Sequence, residues 1–257
     1  MDLLHTPYIY YIYLLPLGVF AMLTEFMGEF MGTMTLILLG GGVNAATSLE
    51  KSYAKGSGWI VVTAGWAFAV ACGIFVAKAL GGSGALNPVG PISNIVLGNE
   101  TIAANLIQVA AEFSGAFVGA VLVWLQYLPH WKETKDADTK RGVFCTAPAI
   151  PNTPANFLSE VIGTFALVLI ASAIGKAIEG TMQAPLIGMV VWAVGLSLGG
   201  STGYAINPAR DFAPRLAHAL LPIAGKGSSN WSYAWIPVIG PITGAILASF
   251  VFQYLSK

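Results

Sequence analysis

This sequence predicts an all-α membrane protein: six transmembrane helices plus two re-entrant half-helices, arranged as an inverted repeat. Three observations carry the prediction. Of 257 residues, 56% are hydrophobic and only 9% charged, against about 25% charged in a soluble domain, so a normal solvated surface cannot be built. Six apolar runs, 19–42, 58–80, 101–128, 154–174, 184–200 and 231–255, approach the roughly 20 residues that a spanning helix needs. Two stretches nearly repeat each other, Gly81-Gly82-Ser83-Gly84-Ala85-Leu86-Asn87-Pro88-Val89 and Gly199-Gly200-Ser201-Thr202-Gly203-Tyr204-Ala205-Ile206-Asn207-Pro208-Ala209.

The elements follow in order along one domain, 1–257. Residues 1–18 form an apolar segment with Tyr8, Tyr10, Tyr11 and Tyr13. Tyrosines favour the headgroup level, so an interfacial segment fits, and the lack of a basic leader argues against a secretory signal. The first repeat, 19–128, holds three spans with a short piece at 81–99 between the second and third. The second repeat, 154–257, does the same with 201–230 between its second and third. Each short piece begins with small residues, then Asn-Pro, then about ten residues, too few to cross and too apolar for an aqueous loop. Asn is a good N-cap and Pro suits the first helical position, so each piece reads as a half-helix. Three spans per repeat is odd, so the copies insert in opposite senses and the half-helices meet near the midplane. Such a meeting point is a pore or a substrate site.

Other pairs support the duplication. Glu29-Phe30-Met31-Gly32-Thr33 in span one matches Glu160-Val161-Ile162-Gly163-Thr164 in span four, and Glu112-Phe113-Ser114-Gly115-Ala116 sits where Pro241-Ile242-Thr243-Gly244-Ala245 sits. Glycines four apart, at 28/32, 115/119, 195/199 and 240/244, let helix backbones approach closely. The connector 129–153 carries Lys132, Glu133, Lys135, Asp136, Asp138, Lys140 and Arg141, and reads as a solvated loop. Net charge is zero, which gives nucleic acid nothing to bind. The scattered His5, His130 and His218, with only Cys72 and Cys145 as cysteines, predict no metal and no cofactor, and no nucleophile–base set suggests an enzyme.

Two Asn-Pro boxes on inverted repeats, a Glu-x-x-Gly-Thr motif in each half, and Asn207-Pro208-Ala209-Arg210-Asp211 together resemble the aquaporin superfamily over the chain from Met22 onward. Asp211, followed by Phe212-Ala213-Pro214-Arg215, and Pro237-Val238 in span six resemble its glycerol-facilitator branch. The resemblance implies a right-handed bundle, one pore per subunit of a homotetramer, and passive passage of glycerol, other small neutral solutes and some water across the cell membrane. Undissociated lactic acid, dihydroxyacetone, urea and hydrogen peroxide are further candidate solutes. It also implies both termini in the cytoplasm. The basic residues count the other way, with Lys78, Lys176 and Lys257 inside but Lys51, Lys55, Lys132, Lys135, Lys140, Arg141 and Lys226 outside.

By the same resemblance, Asn87 and Asn207 of the boxes Asn87-Pro88-Val89 and Asn207-Pro208-Ala209 face each other at the pore centre. Each side-chain oxygen caps its helix and leaves the amide NH2 free for a solute. Trp66, Gly195, Tyr204 and Arg210 form the outer selectivity filter, with Trp66 and Tyr204 an apolar corner and Arg210 opposite. Glu29 and Glu160 orient the re-entrant loops. Arg215, four residues beyond Asp211, is its expected partner. The sequence departs from the branch at Tyr204, where phenylalanine is usual, at Val89 for alanine, and at Ala85 where histidine is common. The alternative reading is a proton- or ion-coupled secondary transporter, which also uses inverted repeats and broken helices.

Overall fold

A computed structural model describes residues 17–256, so the tyrosine-rich N-terminal segment lies outside the described residues. Ten α-helices and one 3-10 turn follow in order. They are α1 Leu17–Ser48, α2 Trp59–Ala79, α3 Val89–Leu97, α4 Ile102–Gln126, α5 His130–Glu133 and α6 Ala137–Phe144, then α7 Thr153–Ala177, the turn Gly180–Met182, α8 Gln183–Leu198, α9 Pro208–Leu220 and α10 Ile236–Leu255. Six helices, α1, α2, α4, α7, α8 (with the turn before it) and α10, are long and apolar enough to cross a membrane. The half-helices α3 and α9 are 9 and 13 residues long, too short to span at 1.5 Å per residue.

The packing mirrors the duplication. Helix α1 lies on α4, α7 on α10, and α2 on α8. Each half-helix packs on the last span of the other repeat, α3 on α10 and α9 on α4. With lipid outside and no water to expel, helix contact rests on close fit. A Cβ on Gly115 would stand 2.2 Å from the Phe30 carbonyl oxygen, and one on Gly244 would stand 2.3 Å from that of Val161. The two glycines occupy matching places in the two repeats. Large apolar side chains such as Phe68, Ile102, Met189 and Tyr254 point outward, as a lipid-facing exterior requires.

Three features differ from the sequence expectation. Span one continues to Ser48, and its polar last turn is accommodated because Thr47 and Ser48 donate their hydroxyls to the Val43 and Asn44 carbonyls, leaving neither unpaired. Span six begins only at Ile236, where Pro237 suits the first turn and the residues before it form turns. The connector is a structured cap rather than a solvated loop. Most of its charges face water, but Lys140 is buried along with Trp131, Val143, Phe144 and Cys145, and Trp131 stacks on Phe144 with ring centres 5.6 Å apart. Asp136 caps α6 by accepting from the Thr139 amide at 2.7 Å, and the Thr139 hydroxyl, seconded by that amide, holds its carboxyl below the ordinary range.

Gly115→Ala is expected to lower stability by about 1–3 kcal/mol through overpacking. Thermal unfolding in detergent checks it, and an unchanged midpoint would mean that α1 and α4 do not touch here.

Candidate functional site

Between a spanning helix and its half-helix the chain runs irregularly at membrane depth, where each backbone N–H must find an acceptor. One buried carboxylate per repeat supplies it. Glu29 on α1 accepts from the Ser83 hydroxyl at 2.8 Å, the Gly84 amide, the Ala85 amide at 3.2 Å and the Leu86 amide at 2.9 Å. Glu160 on α7 accepts from the Thr202 hydroxyl at 2.7 Å and the amides of Ala205 and Ile206 at 3.0 and 2.9 Å. The loops so held place Ala85, Leu86, Ala205 and Ile206 on the wall of a cavity of about 330 Å³. Leu86 and Ile206, the residues before each box, are left-handed at φ 53° and 44°, a strain of about 1–3 kcal/mol each.

That strain aims two carbonyls. The Asn87 side-chain amide donates to the Ile206 oxygen at 2.8 Å, and the Asn207 amide donates to the Leu86 oxygen at 2.7 Å. The two asparagines are thus brought together, both on the cavity wall. The expectation of a wholly free NH2 is corrected: one N–H of each amide is committed to the opposite loop, leaving the other for the lumen. The oxygens differ between boxes. Asn207 Oδ1 accepts from the Arg210 amide at 3.0 Å as the cap of α9. Asn87 Oδ1 accepts from Val89 at 3.3 Å, and α3 starts one residue later than its counterpart, after Pro88. Asn87 gains a support of its own, since its backbone N–H donates to buried Glu112 at 2.9 Å.

A second cavity of about 320 Å³ lies on the connector side. Tyr204 and Arg210 alone border both cavities, so the passage between them runs past these two side chains. The Tyr204 ring occupies a slot opened by glycines: a Cβ on Gly195 would lie 2.8 Å from its Cζ, and one on Gly199 2.5 Å from its Cδ1. Trp59 closes the slot edge-on, 5.7 Å from the Tyr204 ring, and donates its indole N–H to the Gly195 oxygen at 3.0 Å. Trp66 borders the second cavity. The Arg210 guanidinium lies 3.9 Å over its ring, not across from it, and donates to the Phe144 oxygen at 3.2 Å. The cation–π attraction draws the two together once both are largely desolvated.

A model of the family described as major intrinsic protein matches residues 18–252. This chain belongs to that family. It is 54% identical over 239 residues to the glycerol uptake facilitator protein of Bacillus subtilis, covering 91% of this chain and 86% of that one. It is 38% identical to the D/L-lactic acid transporter of Lactiplantibacillus plantarum, covering 89% of this chain and 96% of that one. Among solved structures, the aquaglyceroporin from Plasmodium falciparum superimposes with TM-score 0.79 at 24% identity, covering 91% of this chain and 97% of that chain.

In this major intrinsic protein Asp211 borders neither cavity. It is fully buried and pairs with Arg215, accepting from Nε at 2.9 Å and from a terminal nitrogen at 2.7 Å. Its other oxygen accepts from the Thr146 amide and hydroxyl, each at 2.7 Å. Arg215 in turn donates to the carbonyls of Thr146 and Ser229. The pair therefore fastens the connector to α9 just behind Arg210. Sequence reasoning missed Trp59, Phe144 and Thr146. The first is signalled only by its place two turns from Trp66 on the same helix face, and the others by nothing, because Phe144 acts through its backbone oxygen and Thr146 largely through its backbone.

Asp211→Ala is expected to cost about 3–5 kcal/mol, because Arg215 is left as an unpaired buried charge. Denaturation in detergent checks it, and replacing both residues with apolar ones of similar volume should recover most of the loss.

Proposed function

We propose that this protein is a passive channel for glycerol and other small uncharged solutes, with some water. The observation that carries the reading is the pair of cavities that share only Tyr204 and Arg210, with Asn87 and Asn207 on the inner one, each bonded to the opposite loop. Its similarity to the glycerol uptake facilitator supports the solute class.

The chemistry follows from the walls. The inner cavity is mainly apolar, with Leu36, Val70, Leu167, Val191 and Ile206 along it. Its polar groups are few and fixed, which suits a short carbon backbone carrying hydroxyls on one side. At the filter, Tyr204 offers apolar ring surface to CH groups, Trp66 carries Arg210 on its ring, and Arg210 offers N–H donors to hydroxyls. At the centre, the remaining N–H of each asparagine donates to a passing oxygen. The N-termini of α3 and α9 each carry about half a positive charge toward the centre, and Arg210 adds another. Cations and protons are repelled there, while neutral solutes with lone pairs are admitted. Glu29 and Glu160 orient the loops, and Asp211 steadies the filter from behind.

The Tyr204 hydroxyl is buried and has no protein partner. It gives the filter one more hydrogen-bonding group than a phenylalanine would, which favours a solute with an additional oxygen. Undissociated lactic acid is such a solute, and similarity to the D/L-lactic acid transporter supports it. Dihydroxyacetone, urea and hydrogen peroxide fit the same walls. The subunits assemble as a homotetramer in the cell membrane, with both termini cytoplasmic.

Stopped-flow light scattering on reconstituted vesicles tests the reading. Glycerol is expected to equilibrate without accumulating, and accumulation driven by a proton gradient would instead establish the coupled transporter. Lactic acid flux should fall about tenfold per pH unit once the acid is mostly ionised, tracking its neutral form. Arg210→Ala is expected to change the ranking of solutes, and an unaltered ranking would remove Arg210 from the filter.

A further inference from the structure

The filter reading leaves open what fixes the orientation of Trp66. Its indole ring is 5% exposed and is held at both ends by α1. A Cβ on Gly40 would come within 2.3–2.6 Å of the six-membered ring, so glycine there opens the slot in which the ring lies. One turn further, Asn44 Oδ1 accepts from the indole N–H at 3.0 Å. The same Asn44 donates its side-chain N–H to the Gly142 oxygen at 3.2 Å.

Gly142 and Phe144 belong to the last turn of α6, where carbonyls have no partner within the helix and carry its negative end. Asn44 takes the first of these oxygens and Arg210 the second. The contacts close on themselves. Arg210 lies on Trp66, Trp66 is bonded to Asn44, Asn44 to Gly142, and Phe144, in the same turn, back to Arg210. Four separate chain segments meet in this ring: α1, α2, the connector cap and α9.

From this geometry we infer that Asn44 is a specificity-determining positioning residue, setting the channel's size limit by fixing the Trp66 indole flat against the Arg210 guanidinium. The inference rests on the filter role proposed for Trp66 and Arg210. With both ends of the indole fixed, the ring can neither turn into the lumen nor retreat from it, and Arg210 keeps its donors directed at one place. Without Asn44 the N–H end is released and the indole can rotate about its side-chain bonds. The Arg210 guanidinium that rests on the ring then loses its fixed seat, and the constriction its definition.

The test compares glycerol with sorbitol permeability in vesicles for the wild type, Asn44→Ala, Asn44→Ser, Trp66→Phe and the double variant Asn44→Ala/Trp66→Phe. Both Asn44 variants are expected to lower the glycerol-to-sorbitol ratio about fivefold, the size of one net hydrogen bond. Trp66→Phe has no N–H for Asn44 to hold, so adding Asn44→Ala to it should change the ratio no further. The serine variant keeps a polar side chain in the vestibule and serves if the alanine variant fails to reconstitute. An equal fall on the Trp66→Phe background would overturn the inference, since Asn44 would then act elsewhere. It is also overturned if Trp66→Phe lowers the ratio and neither Asn44 variant does, which leaves the filter reading standing. If neither Trp66→Phe nor Arg210→Ala moves the ratio, the filter reading itself fails, and this inference with it.

Discussion

The rest of the structure depends on one constraint: at membrane depth an irregular stretch of backbone must have each amide bonded, with no water to do it. Two carboxylates meet it. Glu29 and Glu160 gather the N–H groups of the two loops on one side, and four of those donors, Ala85, Leu86, Ala205 and Ile206, line the cavity on the other. A buried carboxylate is expensive in lipid unless paired or bonded, and these are bonded by several donors each. The acceptor that makes the loop possible is thereby the element that fixes which way its peptide groups face. A wall suited to neutral solutes then follows from satisfying the backbone.

The second dependence is mutual. Each asparagine is bonded to the carbonyl just before the other asparagine, so neither repeat can complete its half of the centre without the other. Leu86 and Ile206 adopt their left-handed backbone in matching places, and each strained residue presents the oxygen that the opposite box needs. Duplication is therefore built into the site. The crossed packing of α3 on α10 and α9 on α4 carries the same dependence out to the spanning helices, so each repeat completes the packing of the other.

Much of this was legible in the sequence, for identifiable reasons. Spans, Asn-Pro steps and the Glu-x-x-Gly-Thr boxes are local signals, and the i, i+4 relation of Asp211 and Arg215 is fixed by helix geometry alone. The connector was not legible, because its many charges conceal the few apolar residues that bury it. Nor was the role of Asn44 or Trp59. A helix in lipid is apolar on its outer face as well as its inner one, so periodicity does not say which residues look inward. Motif position placed Trp66 and Arg210 at one level but could not say that they stack. The basic residues that count against cytoplasmic termini are largely committed. Lys140 donates to the Ala224 and Gly225 carbonyls, Lys226 to those of Ala219 and Leu221, and Lys51, Lys55 and Arg141 to carboxylates. They are structural parts of this face as well as charges, which weakens the count as a guide to insertion.

Symmetry also makes visible where the two halves part company. Aligning the boxes sets Val89 against Ala209 and Gly90 against Arg210. Gly90 lines the inner cavity, and a Cβ there would meet only Ala85 at 3.7 Å, an ordinary contact. Packing does not demand glycine at that position. What glycine does is leave the lumen wide and uncharged at the place where the other repeat puts its guanidinium. One inverted repeat thus builds two equivalent loops, two equivalent helix ends and a shared centre, while the polar constriction exists in one copy. On the proposed reading, a neutral solute meets one charged group, at Arg210, and the matching place in the other repeat presents none. Discrimination then falls to one half of a frame that both halves build.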